Sequence, residues 1–167
     1  MGTAALVSVE EYLNTSYQDG DREYVDGLIV ERNVGELEHA DIQGLLILQL
    51  SKRYPSLWVR PEVRVQVSAL RFRVPDVVIV NGPRPEGRII TAPPLAVAEV
   101  LSPDDRAVDL EEKIADYLSF GIRHVWVINP HTRRAHIHTP DGAFEAKDGH
   151  LWTRDPEIRL PLSDLFY

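Results

Sequence analysis

The chain has 167 residues, of which 44% are hydrophobic and 26% charged. That is the size of one domain, about 100–200 residues, and the composition excludes a disordered or low-complexity chain. Eighteen basic against 26 acidic residues leave a formal charge of −8, which argues against a non-specific polyanion binder, because counterion release needs clustered cations. It is compatible with metal or acid–base sites, which are themselves built from carboxylates. No cysteine is present, so disulfides, thiolate zinc sites, Fe–S clusters and cysteine nucleophiles are ruled out. No stretch approaches the roughly 18 apolar residues of a membrane span, and the apolar segment Ala4–Val7 lacks the basic flank of a signal peptide. A soluble, cytoplasmic protein without a membrane partner is expected.

Ser8-Val9-Glu10-Glu11 has capping-box form and predicts a short helix from Val9 to Asn14, within a helical lead-in over residues 1–20. Asp26-Gly27 between two β-prone runs, Glu23–Val25 and Leu28–Val30, predicts a hairpin. From Leu37 to Lys52 the apolar residues recur with helical period, and Tyr54-Pro55 ends that helix. Val63, Val65 and Val67 alternate with polar residues and read as a half-buried strand. Val77–Val80 is a continuous β-branched run, as in a strand buried on both faces. A proline-rich loop, 84–94, separates it from a second buried strand, Leu95–Leu101. Ser102-Pro103-Asp104-Asp105 reads as the start of a helix running to Phe120, with Gly121 as its C′ residue. His124–Ile128 reads as a third apolar strand, Ala135–Thr139 with Ala143–Ala146 as a hairpin, and 160–167 as a tail that docks on the core. The order implies a single α+β domain over 1–167, a mixed sheet flanked by helices.

Two acids stand in the buried strands: Asp76 after Pro75, and Glu99 within Ala96–Leu101. An ionised carboxylate costs several kcal/mol to bury unless it is paired or binds metal. Two of them, with a main-chain carbonyl and waters, suit Mg²⁺. On the following helix, taking Leu110 as reference, Ile114, Tyr117 and Leu118 fall at about +40°, −20° and +80°, and Lys113 at about −60°, the edge of the buried face. From there a lysine stem can lie along the core and reach the strand ends.

Pro75-Asp76 followed by Glu99 and a lysine resembles the PD-(D/E)-X-K nuclease superfamily, and more closely its restriction-endonuclease branch, the Uma-two family. The resemblance runs through Tyr24 with Asp26-Gly27, His39, Pro75–Val80, Glu99-Val100-Leu101-Ser102-Pro103, Asp109, Lys113 and Tyr117, then Gly121 and Val125–Pro130. It covers roughly Glu23 to His138. Two features depart from the pattern. The superfamily lysine position two residues after the acid is Leu101, the lysine having moved to Lys113, and the aromatic strand ends in Asn129-Pro130 rather than Asp-Pro.

The resemblance implies a restriction-endonuclease-like fold and Mg²⁺-dependent hydrolysis of phosphodiesters in DNA, with Mn²⁺ as a substitute. Asp76, Glu99 and the carbonyl of Val100 would hold the metal, Lys113 would orient water or stabilise developing charge, and His39 would contribute. Tyr24, Asp26, Asp109, Tyr117 and Arg73 are accessory candidates, and a homodimer follows by analogy. Each residue also has an ordinary reading. Asp76 can be a turn acid, and Asp109 can pair with Lys113 at i,i+4 for about 0.3–0.5 kcal/mol. Tyr24 and Asp26 can be hairpin chemistry, and Arg71 and Arg73 can be solvated or meet phosphates. Two other functions stay open: a catalytically silent nuclease-fold binding or assembly module, which the acidic balance favours, and a hydrolase of small phosphoesters. For DNA the charge predicts weak, salt-sensitive affinity.

Overall fold

The computed structural model describes residues 5–18, 20–33 and 35–167. Parts of the 1–20 lead-in and of the Ala4–Val7 segment therefore lie outside the described residues. Helix α1, Val9–Asn14, begins at Ser8, whose hydroxyl accepts the Glu11 N–H at 3.1 Å. Strands β1, Glu23–Val25, and β2, Leu28–Val30, join through Asp26 and Gly27, both at positive φ, as a two-residue hairpin turn of this twist requires. Helix α2 spans Leu37–Arg53. Five strands follow: β3, Leu57–Pro61; β4, Val65–Ser68; β5, Arg71–Arg73; β6, Val77–Asn81; and β7, Ala96–Val100. After helix α3, Ala107–Phe120, come β8, His124–Asn129; β9, Arg134–Thr139; β10, Gly142–Glu145; β11, His150–Thr153; and β12, Ile158–Pro161.

The central sheet has the order β10-β9-β8-β7-β6-β3, antiparallel throughout except for the β7–β8 pair, which α3 connects. Side chains alternate across it. Val77, Ile79, Ala96, Ala98, Val100, Trp126 and Ile128 pack with Ile42, Leu46 and Leu50 of α2. Val78, Val97, Val125 and Val127 face the other way, onto Ile114 and Tyr117 of α3 and Val65 of β4. A second sheet, β2-β1-β5-β4, carries its own cluster of Tyr12, Tyr24 and Phe72. Leu160, Leu162 and Leu165 of the tail are buried in the α2-side core. Among the described residues no helix is long and apolar enough to cross a membrane.

The structure departs from the sequence reading in three places, one being the antiparallel pair β11–β12, where the sequence predicts only a docking tail over 160–167. Between α2 and α3 there are five strands, two more than the three read from the sequence: β3 lines the sheet edge beside β6, and β5 forms from the Arg-bearing segment. Also, α3 starts at Ala107, not at Pro103. Ser102–Asp105 closes a β-turn instead, with the Asp105 N–H donating to the Ser102 carbonyl (3.1 Å) and the Asp105 carboxylate accepting the Ser102 N–H (2.7 Å). Pro103 suits the second position of such a turn as well as it suits a helix start.

Candidate active site

The β6–β7 register sets the centre of the site. Val77 stands opposite Ala98 and Val78 opposite Val97, so one step further Asp76 comes opposite Glu99. The alternation that sends Val78 and Val97 to the α3 side sends both acids there too. One step beyond, Pro75 comes opposite Val100. The Val100 N–H is taken by Asp76 Oδ2 at 2.7 Å.

Asp76 and Glu99 are almost wholly buried, 4% and 6% exposed, and each is held from several elements. Arg32 donates to Asp76 Oδ1 at 2.8 Å, and His39 Nε2 lies 3.2 Å from Oδ2. Gln43 of α2 donates to the Asp76 carbonyl at 2.8 Å. Tyr117 donates to Glu99 Oε1 at 2.6 Å, and Lys113 Nζ is 3.8 Å from Oε2. Lys113 is closer still to Glu23 Oε1, at 3.4 Å. These groups, except Gln43 and Tyr117, line one cleft of about 390 Å³, together with Leu101, Ser102, Asp105, Arg106, Asp109 and Leu110.

The Uma2 sequence profile, described as a putative restriction endonuclease, matches residues 9–162. The chain belongs to the Uma2 family. A solved structure described as a putative nuclease belonging to DUF820 from Anabaena variabilis ATCC 29413 superposes with a TM-score of 0.79 at 22% identity, covering 96% of this chain and 97% of that one. At that identity the likeness shows the fold. No curated protein matches.

In this Uma2 chain the two central carboxyls are driven apart. Burial opposes the charge of Asp76, but the His39 hydrogen bond and charge, the Val100 N–H and Arg32 outweigh it and hold the carboxyl below the ordinary Asp value. Burial pushes Glu99 up to about 7, helped by Asp76 and Glu23 and opposed by Lys113 and Tyr117. The bond to Asp76 raises His39 above its ordinary value, so it favours the cationic form. Burial works against the ammonium of Lys113, yet Glu99, Glu23 and Asp76 outweigh it and raise its pKa.

Asp76, Glu99, Val100, Lys113 and His39 come together, and Tyr117 joins them through Glu99. Asp109 lines the cleft 3.9 Å from Arg106, whereas the ion pairs of Lys113 run to Glu23 and Glu99. Tyr24 and Asp26 do not line the cleft. The Tyr24 hydroxyl donates to the Val7 carbonyl at 2.8 Å, and Asp26 binds Arg71 at 2.7 Å. Arg73 is not free to meet a phosphate: it is 3% exposed, donating to Glu23 at 3.1 Å and to Asp116 at 2.7 Å. Arg71 is likewise engaged by Asp26, Glu112 and Asp116.

Sequence reasoning missed Glu23, Arg32 and Gln43. Strand alternation held a signal for the first, because an inward Tyr24 puts Glu23 on the opposite face, which here is covered. Arg32 and Gln43 carry no local signal.

Among the described residues no group of three or more acidic or histidine side chains is gathered to hold a metal. Two carboxylates, with the Val100 carbonyl beside them in the cleft lining, are the sparse oxygen set that Mg²⁺ would complete with water. The donor chemistry fits that ion, and Glu99, at about 7, is the carboxyl that a cation would return to its ionised form.

Proposed function

We propose that this chain is a Mg²⁺-dependent endonuclease that hydrolyses phosphodiester bonds in DNA, with Mn²⁺ as a substitute. The observation that carries the reading is that Asp76 and Glu99, each one step beyond the paired Val77 and Ala98, line the same cleft, with the Lys113 ammonium 3.8 Å from Glu99. Asp76, Glu99 and the Val100 carbonyl would hold the ion. The ion would polarise the scissile phosphate and lower the pKa of a bound water.

The chain's own residues do the rest. His39, the Val100 N–H and Gln43 fix Asp76 from three directions. Tyr117 fixes one oxygen of Glu99 and leaves the other toward the cleft. Lys113 orients the attacking water and offsets charge that grows on the phosphate oxygens. Arg32 brings a guanidinium, suited to bidentate phosphate recognition, to the same opening. Binding of DNA is weak and salt-sensitive, since the chain is acidic overall. Two copies acting together would supply the two cuts that duplex cleavage needs.

One observation favours a second reading, a catalytically silent binding or assembly module. Both oxygens of Asp76 already accept from the protein itself. The deciding experiment incubates supercoiled and linear DNA, with RNA in parallel, with Mg²⁺, Mn²⁺ or EDTA, using the wild type and Asp76→Ala. Metal-dependent cleavage by the wild type alone is expected. Absence of cleavage, or equal cleavage by the variant, removes the nuclease reading.

A further inference from the structure

We infer that Glu23 is the positioning residue for Lys113, the fixed counter-ion that keeps the ammonium aimed into the cleft when Glu99 is engaged elsewhere. Glu23 is fully buried at the start of β1. Its backbone is locked by the hairpin, where it pairs with Val30, and its neighbour Tyr24 pairs with Phe72 of β5. Tyr24 spends its side chain in the aromatic cluster on one face, so strand alternation aims Glu23 to the other face, toward α3.

Both carboxylate oxygens are in use. Oε2 accepts from Arg73 at 3.1 Å, while Oε1 accepts the Val74 N–H at 3.0 Å and lies 3.4 Å from Lys113 Nζ. The carboxylate is therefore pinned by Arg73 of β5 and by the Val74 N–H just after it, and presents one oxygen to a lysine carried by a different element. Glu99 is the more distant partner of Lys113, at 3.8 Å, and its inner oxygen belongs to Tyr117.

The division of labour follows from chemistry. A carboxylate that ligates a cation has less charge to offer a neighbouring ammonium. A long, flexible side chain left with one weakened partner would sample other rotamers, and a misplacement of about 1 Å in an active site can cost roughly 100-fold in rate. Glu23, buried and held by two donors of its own, has no part in the oxygen set proposed for the metal. It supplies an attraction that does not change through the reaction.

The ordinary alternative is that Glu23 merely neutralises Arg73, which is also buried. The two roles separate in a pair of variants. Glu23→Gln keeps the volume and one acceptor oxygen, which can serve Val74, but removes the charge facing Lys113. Glu23→Leu with Arg73→Met removes the buried pair together, a replacement that often leaves stability intact. The kinetic arm rests on the nuclease reading. The spectroscopic arm does not: the ¹H–¹⁵N signal of the Lys113 ammonium, one of only three lysines, reports whether that group is held.

Expected in the wild type is an ordered ammonium signal for Lys113, lost in both variants, with kcat lower by about 100-fold and KM unchanged. Recovery of the signal or of kcat in the double variant would show that Glu23 serves Arg73 alone and would overturn the inference. So would a wild type whose Lys113 gives no ordered signal. Should the double variant fail to fold, Glu23→Gln decides: retention of the signal overturns the inference, and its loss supports it. A wild type that cleaves nothing yet shows these spectra defeats the nuclease reading and leaves the positioning role standing.

Discussion

Glu99→Gln is expected to stabilise the metal-free protein at alkaline pH while abolishing metal-dependent activity. Glu99 is 6% exposed, and burial with Asp76 and Glu23 nearby pushes its carboxyl from 4.5 up to about 7. Between those values the folded chain keeps a proton that the unfolded chain has released. Its contribution to stability is therefore full below about 4.5 and lost as pH rises through about 7. The interval corresponds to roughly 3 kcal/mol. Glutamine mimics the protonated acid and can still accept from Tyr117, so the variant escapes that loss.

For a chain of this size each kcal/mol moves the melting temperature by about 2–4 °C, so a rise of roughly 6–12 °C is expected near pH 8 and almost none near pH 4.5. Thermal unfolding of both proteins in EDTA across that range measures it. Addition of Mn²⁺ should then raise the wild-type melting temperature and leave the variant unmoved. A variant less stable than wild type near pH 8, or a difference independent of pH, would refute the account of Glu99 as a buried charge held at a cost for function.

The carboxylate opposite behaves differently: Asp76→Asn should eliminate Mn²⁺-induced stabilisation and bring cleavage to the EDTA background, read by melting and by a plasmid assay. Gly35→Ala tests the support of His39, because a Cβ there would lie 2.8 Å from His39 Nδ1. The ring must shift off Asp76, lowering metal affinity in a calorimetric titration with little change in melting temperature. Gly121→Ala should destabilise by about 1–2 kcal/mol, since φ is 108° and a Cβ would meet Pro93 at 3.2 Å; urea unfolding checks it. Tyr117→Phe removes the 2.6 Å donor to Glu99. Because bonds to charged groups are worth about 1.5–3 kcal/mol, its loss should be larger near pH 8 than near pH 5, as pH-dependent melts would show.

Much of the fold is legible in the residues because it rests on local chemistry. Ser8 caps, Asp26-Gly27 turns, Val77–Ile79 of the β-branched run are buried on both faces, and Gly121 closes α3 with positive φ. The start of α3 is not legible, because Ser-Pro-Asp-Asp satisfies a β-turn and a helix start equally. Nor is β5, whose arginines look solvated until Asp26, Asp116 and Glu23 arrive from distant segments to partner them. Within the site, Asp76 and Glu99 stand out as acids in apolar strands. Lys113 stands out at the edge of a helical face, though the acid four residues before it, Asp109, is not the one it meets. Arg32 and Gln43 reach Asp76 across sequence separations of 44 and 33 residues, contacts that only the assembled fold creates.

Lys113 rides on α3, while the carboxylates it serves stand on the sheet. The ammonium and the acids can therefore part company without either element losing its own hydrogen bonds. A transient loosening of α3, whose contacts with the sheet run through Ile114 and Tyr117, would withdraw the cation and the Tyr117 hydroxyl from Glu99 and leave Asp76 in place. Amide exchange along Ala107–Phe120 should then track turnover more closely than exchange in β6 or β7. Substitutions on the apolar underside of the helix, remote from any phosphate, would act as dimmers of the chemistry rather than as lesions of the fold.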